Sequence, residues 1–173
     1  MSLNATPFAE LLAATRHSAV HLEMRDSYAV GDEGEDFEEF LRTGVANTDP
    51  ARSFWPQWVP LVADAVTRGV VMRRARIVSE PVTDYIRYEH AITAVNVQVG
   101  EDVRWLPRRH ASDIALPGND FWLLDERVVQ FNLFAGAGDW AGKDRTDDPA
   151  AVALCAAAFE PVWERTPHEK YTI

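Results

Sequence analysis

The chain has 173 residues, 47% of them hydrophobic, and a formal net charge of −10 at pH 7. This length suits one globular domain with its own core. The acidic balance opposes general binding to nucleic acid, which requires clustered Lys and Arg, and no apolar run approaches the ~20 residues that cross a bilayer.

The first third of the chain predicts several helices and one strand. The elements are, in order, a helix over 6–15, a strand over 19–28, an acidic loop and short helix over 31–44, and a helix over 54–69. Val20, Leu22 and Met24 alternate with polar side chains, as in a half-buried strand. Residues 46–53 are polar and turn-like, which favours a short linker.

The middle of the chain predicts a strand–helix–strand unit over about 70–106. Residues 70–78 indicate a strand, 82–100 a helix and 102–106 a second strand. Two strands joined in this way lie parallel, with a right-handed crossover through the helix.

The last third predicts a hairpin followed by a helix. The hairpin covers 121–134 and turns at the polar Asp125-Glu126-Arg127, the turn-rich stretch 136–143 adds a short edge strand, and 147–165 forms the C-terminal helix. These elements sum to a mixed α/β fold, a mixed sheet flanked by helices. We expect a single domain over 1–173, in which segment 1–45 packs on a core formed by 54–165.

Several classes of protein are disfavoured by what the sequence lacks. Cys155 is the single cysteine, and residues 1–18 lack the pattern of a secretory signal, so we expect a cytoplasmic protein. The five His show no metal-ligand spacing, and neither a Gly-rich phosphate loop nor a G-x-S-x-G elbow occurs. We therefore expect no metal site, no cofactor and no membrane partner.

The stretch 77–91, IVSEPVTDYIRYEHA, carries enough acids and bases for a functional site. A turn, a helix start and a local ion pair account for most of them. Glu89 differs, because it falls on the apolar stripe of the helix, where a carboxylate needs a partner. Arg76 or Arg104 on the neighbouring strands can provide one. A structural salt bridge is favoured over a functional acid.

A second cluster is predicted at the carboxyl edge of the two parallel strands, where open α/β sheets tend to bind ligands. Ser79-Glu80 follows one strand and Arg108-Arg109-His110 follows the other. A fork of arginines can hold a phosphate or a carboxylate, although arginines that offset surface acids fit the same pattern. Asp125 suits a hairpin turn, whereas Asp120 remains a candidate ligand. The hypothetical ligand site comprises Glu80, Tyr85, Arg87, Glu89, Arg104, Arg108, Arg109 and Asp120, and no catalytic residue is assigned.

Four segments form a recognisable set: LVADAVTRGVVMRRARIVSEPVTDYIRYE, GEDVRWLPR, LPGNDFWLLDE and FEPVWER. Together they resemble an actinobacterial domain family of unknown function, whose members are often encoded beside helix-turn-helix regulators. The resemblance covers almost the whole chain and implies no known reaction.

A second resemblance rests on shorter segments. Arg68-Gly69-Val70 leads from a helix into a strand, and GNDFWLLD (118–125) precedes a return strand that carries Asn132. This half of the chain resembles the phospholipase D-like fold, whose strand motif is His-x-Lys-x-x-x-x-Asp. Gly118 stands in place of the nucleophilic His and Asp120 in place of the Lys, so neither role carries over. The resemblance implies a non-catalytic relative, of the kind that serves as a sensor or dimerisation module in transcription regulators.

Two functions fit these observations. The first is a non-catalytic regulatory or ligand-binding module that partners a helix-turn-helix transcription regulator, with a homodimer and an anionic small ligand as further candidate partners. The second is a small cytoplasmic enzyme of unknown reaction, with an Arg/Glu/Tyr pocket at the carboxyl edge of the sheet. Direct binding to nucleic acid ranks last because of the negative charge.

Overall fold

The computed structural model describes residues 3–29, 34–166 and 171–173. Within these ranges the helices are α1 (Phe8–Ala14), α2 (Gly34–Thr43), α3 (Trp55–Thr67), α4 (Asp84–Val99) and α5 (Pro149–Arg165). The strands are β1 (Ser18–Glu23), β2 (Val71–Val78), β3 (Asp102–Pro107), β4 (Asp120–Leu124), β5 (Val128–Phe134) and β6 (Trp140–Thr146). None of the described helices is long and apolar enough to cross a membrane.

The strands form one mixed sheet in the order β3-β2-β1-β4-β5-β6. β3, β2 and β1 are parallel, and β4, β5 and β6 continue the sheet in antiparallel fashion. The predicted mixed α/β fold is confirmed. Segment 1–45, expected to pack on the rest of the chain, contributes β1 to the interior of the sheet.

The predicted parallel unit over 70–106 is confirmed as β2, α4 and β3. Its helix begins where the Thr83 hydroxyl accepts a hydrogen bond from the Ile86 backbone N–H at 3.1 Å, which is a standard N-cap. The helix ends at Gly100, whose φ of +105° is a left-handed conformation that side-chain-bearing residues rarely adopt. Pro81 lies in the turn before the helix.

The predicted hairpin is confirmed as β4 and β5. Asp125 and Glu126 occupy its turn with φ of +50° and +52°, and the Arg127 N–H donates to the Leu124 carbonyl at 2.9 Å. Two central residues of positive φ match the right-handed twist of the flanking strands. The assignment of Asp125 to turn chemistry is confirmed.

Two boundaries differ from the expectation. The first strand ends at Glu23 instead of reaching Tyr28, because the next N–H, that of Met24, donates to the Asp120 carboxylate at 2.9 Å. The turn-rich stretch after the hairpin becomes β6, a seven-residue edge strand paired with β5. The C-terminal helix α5, by contrast, runs through Pro161 to Arg165, the predicted end.

Helices cover both faces of the sheet, as parallel strands require. On one face α5 packs Phe159 and Val162 against an apolar surface that includes Leu22, Ile77 and Phe121. On the other face α1, α3 and α4 lie over the strands, and α2 packs against α4. That second face carries the charged side chains described next.

Candidate functional site

A cavity of about 240 Å³ lies between the sheet and the helices α3 and α4. We call it the central pocket. Its aromatic lining consists of Tyr28, Phe54, Trp55, Trp58, Tyr85, Trp122 and Phe134. Its remaining lining consists of His21, Glu23, Arg74, Arg76, Glu89, Ile92, Asn96 and Asp120. The pocket therefore combines a wide aromatic wall with ionisable groups.

The ionisable groups of the pocket lie on one face of the sheet, because side chains alternate between the two faces along each strand. We call this part of the sheet the floor of the pocket. His21 lies beside Arg74 in the register of β1 and β2, and Glu23 lies beside Arg76. Asp120 is the first residue of the antiparallel β4, so it lies at the carboxyl end of the parallel strands, next to the end of β1. Side chains two apart in a strand share a face, and here that face lies under helices.

Both guanidinium groups of the floor are held by carboxylates. Arg74 Nε lies 2.7 Å from Glu101 Oε1, and its Nη1 lies 3.2 Å from Glu23 Oε2. Arg76 Nε lies 3.0 Å from the same Glu23 oxygen, and its Nη2 pairs with Glu89. The two arginines and three glutamates thus form one buried network of ion pairs.

The ion pairs offset the cost of burying the charges of Glu23 and Arg76. Burial alone would raise the pKa of Glu23, but Arg76 and Arg74 hold it below its usual range. Burial likewise opposes the charge of Arg76, yet Glu23 and Glu89 raise its pKa above the ordinary value. Glu89 also accepts a hydrogen bond from the Tyr85 hydroxyl at 2.9 Å. Buried charges are retained where partners of this kind compensate desolvation.

Asp120 stands outside this network. Its Oδ1 accepts the Met24 backbone N–H at 2.9 Å, and its Oδ2 accepts a short hydrogen bond from the Tyr28 hydroxyl. Burial raises the pKa of Asp120 to about 6, and the charge of Glu23 adds to the effect. Burial also raises the pKa of Tyr28 well above its ordinary value, so the phenol keeps its proton. Asp120 therefore changes its protonation state near pH 6.

His21 is buried with both ring nitrogens lacking a hydrogen-bond partner among the described residues. Its ring stacks on Trp122, its neighbour in the sheet, with centroids 4.2 Å apart and planes inclined by 15°. Burial lowers the pKa of His21 to about 3, so the ring is neutral, with one nitrogen as donor and the other as acceptor. An unpartnered polar group inside a protein is costly unless something else satisfies it.

The aromatic wall is built from different elements that meet over the floor. Trp58 of α3 lies 5.7 Å from Trp122 of β4 between ring centroids, and Arg74 lies near the faces of both rings. Tyr28 contacts Tyr85 of α4 and Phe134 of β5, at centroid distances of 5.9 and 4.9 Å. The wall is formed by the sheet and by the helices that cover this face, and the cavity lies between them.

Three residues of the hypothetical ligand site, Tyr85, Glu89 and Asp120, line the central pocket. The partner of Glu89 is Arg76, which is one of the two candidates named from the sequence. Glu89 therefore takes part in a salt bridge, as favoured, and also faces the cavity.

The other five residues lie elsewhere. Arg109 pairs with Glu80 at the carboxyl edge, where the two strands do bring them together, but outside the pocket. Arg108 donates to the Ser79 hydroxyl at 2.9 Å and to the carbonyls of Met24 and Ile77. Through these contacts, Arg108 and Arg109 bind groups of the protein itself at the carboxyl edge of the sheet.

Arg87 and Arg104 are also outside the pocket. Arg87 is half exposed and faces Asp84, with 3.9 Å between Nε and Oδ1. Arg104 belongs to the α5 side of the sheet, where its guanidinium lies over Trp163, 4.0 Å from the ring centroid. Neither side chain lines the central pocket.

Sequence reasoning assigned His21, Glu23 and Arg74 to no site, and it named Arg76 only as a candidate partner of Glu89. A signal for them existed in the alternating pattern of the two strands. Because parallel strands are covered on both faces, polar residues that alternate along them lie beneath helices and not in solvent. In the described ranges, no group of three or more His, Cys, Asp and Glu is arranged to hold a metal ion.

Comparison with known proteins gives one family. A family model described as Domain of unknown function (DUF6879) matches residues 6–173. No curated protein matches the chain.

Proposed function

The chain belongs to the DUF6879 family, a domain family of unknown function, and on this premise we propose that it is a non-catalytic ligand-binding module that regulates a partner protein. The observation that carries the proposal is the central pocket. Binding sites for small molecules are typically concave and largely apolar, with a few polar groups that orient the ligand. A pocket that joins Trp58 and Trp122 to His21 and Asp120 has this composition.

The buried ion pairs support binding over structural packing alone. If this face of the sheet served only to stabilise the fold, apolar side chains would stabilise it as much. Buried ion pairs seldom contribute more stability than well-packed hydrophobic residues do. His21 adds a polar ring whose two nitrogens have no hydrogen-bond partner among the described residues. A ligand that hydrogen-bonds to this ring would compensate its desolvation.

The partner in this proposal is a separately encoded helix-turn-helix transcription regulator. The negative charge of the chain disfavours direct contact with DNA. A role in transcription therefore requires a second protein that binds the DNA. The likeness to the phospholipase D-like fold is also part of the proposal, with Gly118 and Asp120 in place of the two catalytic residues. The module would act in the cytoplasm, as a homodimer or bound to the regulator.

A thermal-shift screen of small molecules of varied charge tests the binding function. A ligand that binds only the folded state raises the melting temperature by mass action. Ile92→Phe extends a bulkier side chain into the cavity and should abolish the shift, whereas Val97→Phe, on an exposed site of the same helix, should preserve it. If no compound shifts the wild-type protein, or if shifts persist in Ile92→Phe, the central pocket is not a ligand site.

A pull-down tests the partner. The regulator encoded beside this gene should be retained by the immobilised protein at micromolar concentrations, and a ligand from the screen should change the amount retained. Absence of retention with and without the ligand would contradict the regulatory part of the proposal.

An enzyme of acid–base chemistry is the second candidate, favoured by one observation. Burial raises the pKa of Asp120 to about 6, close to the range in which a carboxyl group exchanges protons efficiently at neutral pH. Incubation of each screening hit with the protein, followed by mass spectrometry, separates the two functions. A chemically altered hit supports the enzyme, and an unaltered hit supports the binding module.

A further inference from the structure

The charges of the central pocket disfavour an anionic ligand. Glu23, Glu89 and Asp120 line the cavity against Arg74 and Arg76, so carboxylates outnumber guanidinium groups. A fourth carboxylate, Glu101, lies buried behind Arg74 and pairs with it. Each arginine is already in contact with two carboxylates. An entering anion would have to displace one of these pairs and then lie beside the released carboxylate.

Asp120 is the carboxylate that lacks a cation. Its hydrogen bonds come from neutral donors, the Tyr28 hydroxyl and the Met24 backbone N–H. Among the described residues no Arg, Lys or His forms an ion pair with Asp120, although Arg25 attracts it from farther away. A buried carboxylate without a paired cation favours a ligand that brings one.

The aromatic wall also favours a positively charged ligand. The faces of Trp and Tyr rings carry partial negative charge and attract cations, as in the aromatic cages that bind ammonium groups. Arg74 shows that this wall accepts a cation, because its guanidinium carbon lies 5.8 Å from the Trp58 centroid and 5.7 Å from that of Trp122. Neutral His21, buried and unpartnered in the described chain, offers one nitrogen as an acceptor for an N–H donor.

We propose that the central pocket binds a small organic cation with an aromatic or aliphatic body, whose ammonium group pairs with Asp120 and whose body packs against Trp58 and Trp122. This assignment rests on the proposed ligand-binding function and names its ligand class. The cavity of about 240 Å³ is below the ~300–1,000 Å³ of pockets for drug-sized ligands, so the ligand is smaller than such molecules.

Three probes of nearly equal shape test the charge on the unmodified protein: 2-phenylethylamine, 2-phenylethanol and 3-phenylpropionate, a cation, a neutral molecule and an anion. Isothermal titration calorimetry should give the amine a dissociation constant at least about tenfold lower than that of the alcohol. The anion should bind more weakly than the alcohol. Equal affinity for all three probes, preference for the anion or absence of binding by the amine overturns the assignment.

A matched pair of variants tests the role of Asp120. Asp120→Asn removes the charge while keeping an oxygen that can accept from Tyr28 or Met24, and should weaken binding of the amine about tenfold without changing that of the alcohol. Asp147→Asn makes the same change at an exposed site and should leave both affinities unaltered. Circular dichroism verifies that each variant folds. If Asp120→Asn does not fold, the comparison of the three probes on the unmodified protein still decides which charge the ligand carries.

The outcomes of these experiments separate a failure of the cationic-ligand assignment from a failure of the proposed ligand-binding function. If the alcohol or the anion binds best and Ile92→Phe abolishes that binding, the pocket is a ligand site and the cation assignment alone fails. If neither the probes nor the wider screen gives a ligand, the proposed function fails together with it.

Discussion

Arg76 of β2 and Glu89 of α4 form an ion pair in the interior of the protein, with 7% and 5% of their side chains exposed. The pair fastens the crossover helix to the strand that precedes it. It also explains how a glutamate can stand on the apolar stripe of α4, between Tyr85 and Ile92. The same two side chains line the central pocket, so a structural contact and a candidate binding surface coincide.

Breaking this pair should destabilise the fold strongly. Glu89→Gln leaves Arg76 with Glu23 as its remaining carboxylate, and we expect a loss of up to ~3–5 kcal/mol in the free energy of unfolding, measured in urea. Glu160→Gln provides the comparison, because Glu160 is 45% exposed and its pair with Arg73 lies near solvent. Its removal should cost less than ~1 kcal/mol. Equal losses for the two variants would contradict the assignment of Glu89 to the core.

Asp120 should give stability an unusual dependence on pH. Its pKa rises from 3.8 to about 6 through burial, so between these values the folded protein holds a proton that the unfolded chain has lost. The contribution of Asp120 to stability is therefore present at low pH and decreases as pH rises through this interval. From about pH 4 to about pH 7, Asp120→Asn should gain on the order of 3 kcal/mol relative to wild type in urea unfolding. A difference that does not vary with pH would show that Asp120 is not buried as described.

His21 should act with the opposite sign. Its pKa falls from 6.5 to about 3 through burial, so in this interval the unfolded chain binds a proton that the folded protein does not. Stability is therefore lost as pH falls below about 6.5. His21→Phe keeps an aromatic ring on Trp122 and removes this dependence, so the variant should gain on wild type as the solution becomes more acidic. Unfolding curves at several pH values measure the effect, and a parallel decline of both proteins would refute it.

His21→Ala separates packing from charge at the same position. Without the ring, the stack on Trp122 is lost and a void remains, which should cost ~2–4 kcal/mol at neutral pH. His21→Phe should change stability by less than ~1.5 kcal/mol at that pH, because the replacement is apolar and similar in shape. If both variants lose the same amount, the nitrogens of His21 have partners that stabilise the folded state.

Asp125 should stabilise the hairpin through its charge and its conformation. Its carboxylate accepts the backbone N–H groups of Arg16, His17 and Ser18 at 2.8, 2.7 and 3.0 Å. Asp125→Gly keeps the positive φ but removes the acceptor, and should cost ~1.5–3 kcal/mol. Asp125→Ala adds backbone strain to the same loss and should cost more. A glycine variant as stable as wild type would leave only the conformation as the role of this residue.

Much of the fold could be predicted from the sequence because its signals are local. Gly100 ends α4, Asp148 and Pro149 begin α5, and the polar triplet after Leu124 forms the hairpin turn. The end of β1 could not be predicted in this way. It depends on a hydrogen bond from Met24 to Asp120, a residue distant in sequence, and no local pattern encodes that contact.

The site was harder to predict because partners decide the role of each charged residue. Arg108 and Arg109 follow a strand at the expected edge, yet the protein's own carbonyl and carboxylate groups hold them. Arg74 and Arg76 alternate along β2 just as solvent-facing residues would. Only the position of β2 between two other strands, beneath a helix, makes them buried.

The interior position of β1 has a consequence for how the protein folds. β2, α4 and β3 are contiguous in the chain, and so are β4, β5 and β6, so each half of the sheet can form from local contacts. The halves join only when β1 inserts between β2 and β4, with Ala19 opposite Met72 on one side and Leu124 on the other. Pairings between such distant parts of a chain are slow to form, because loop closure costs entropy before the contacts repay it. We therefore expect β1 to join the sheet last, and its arrival completes the floor of the pocket.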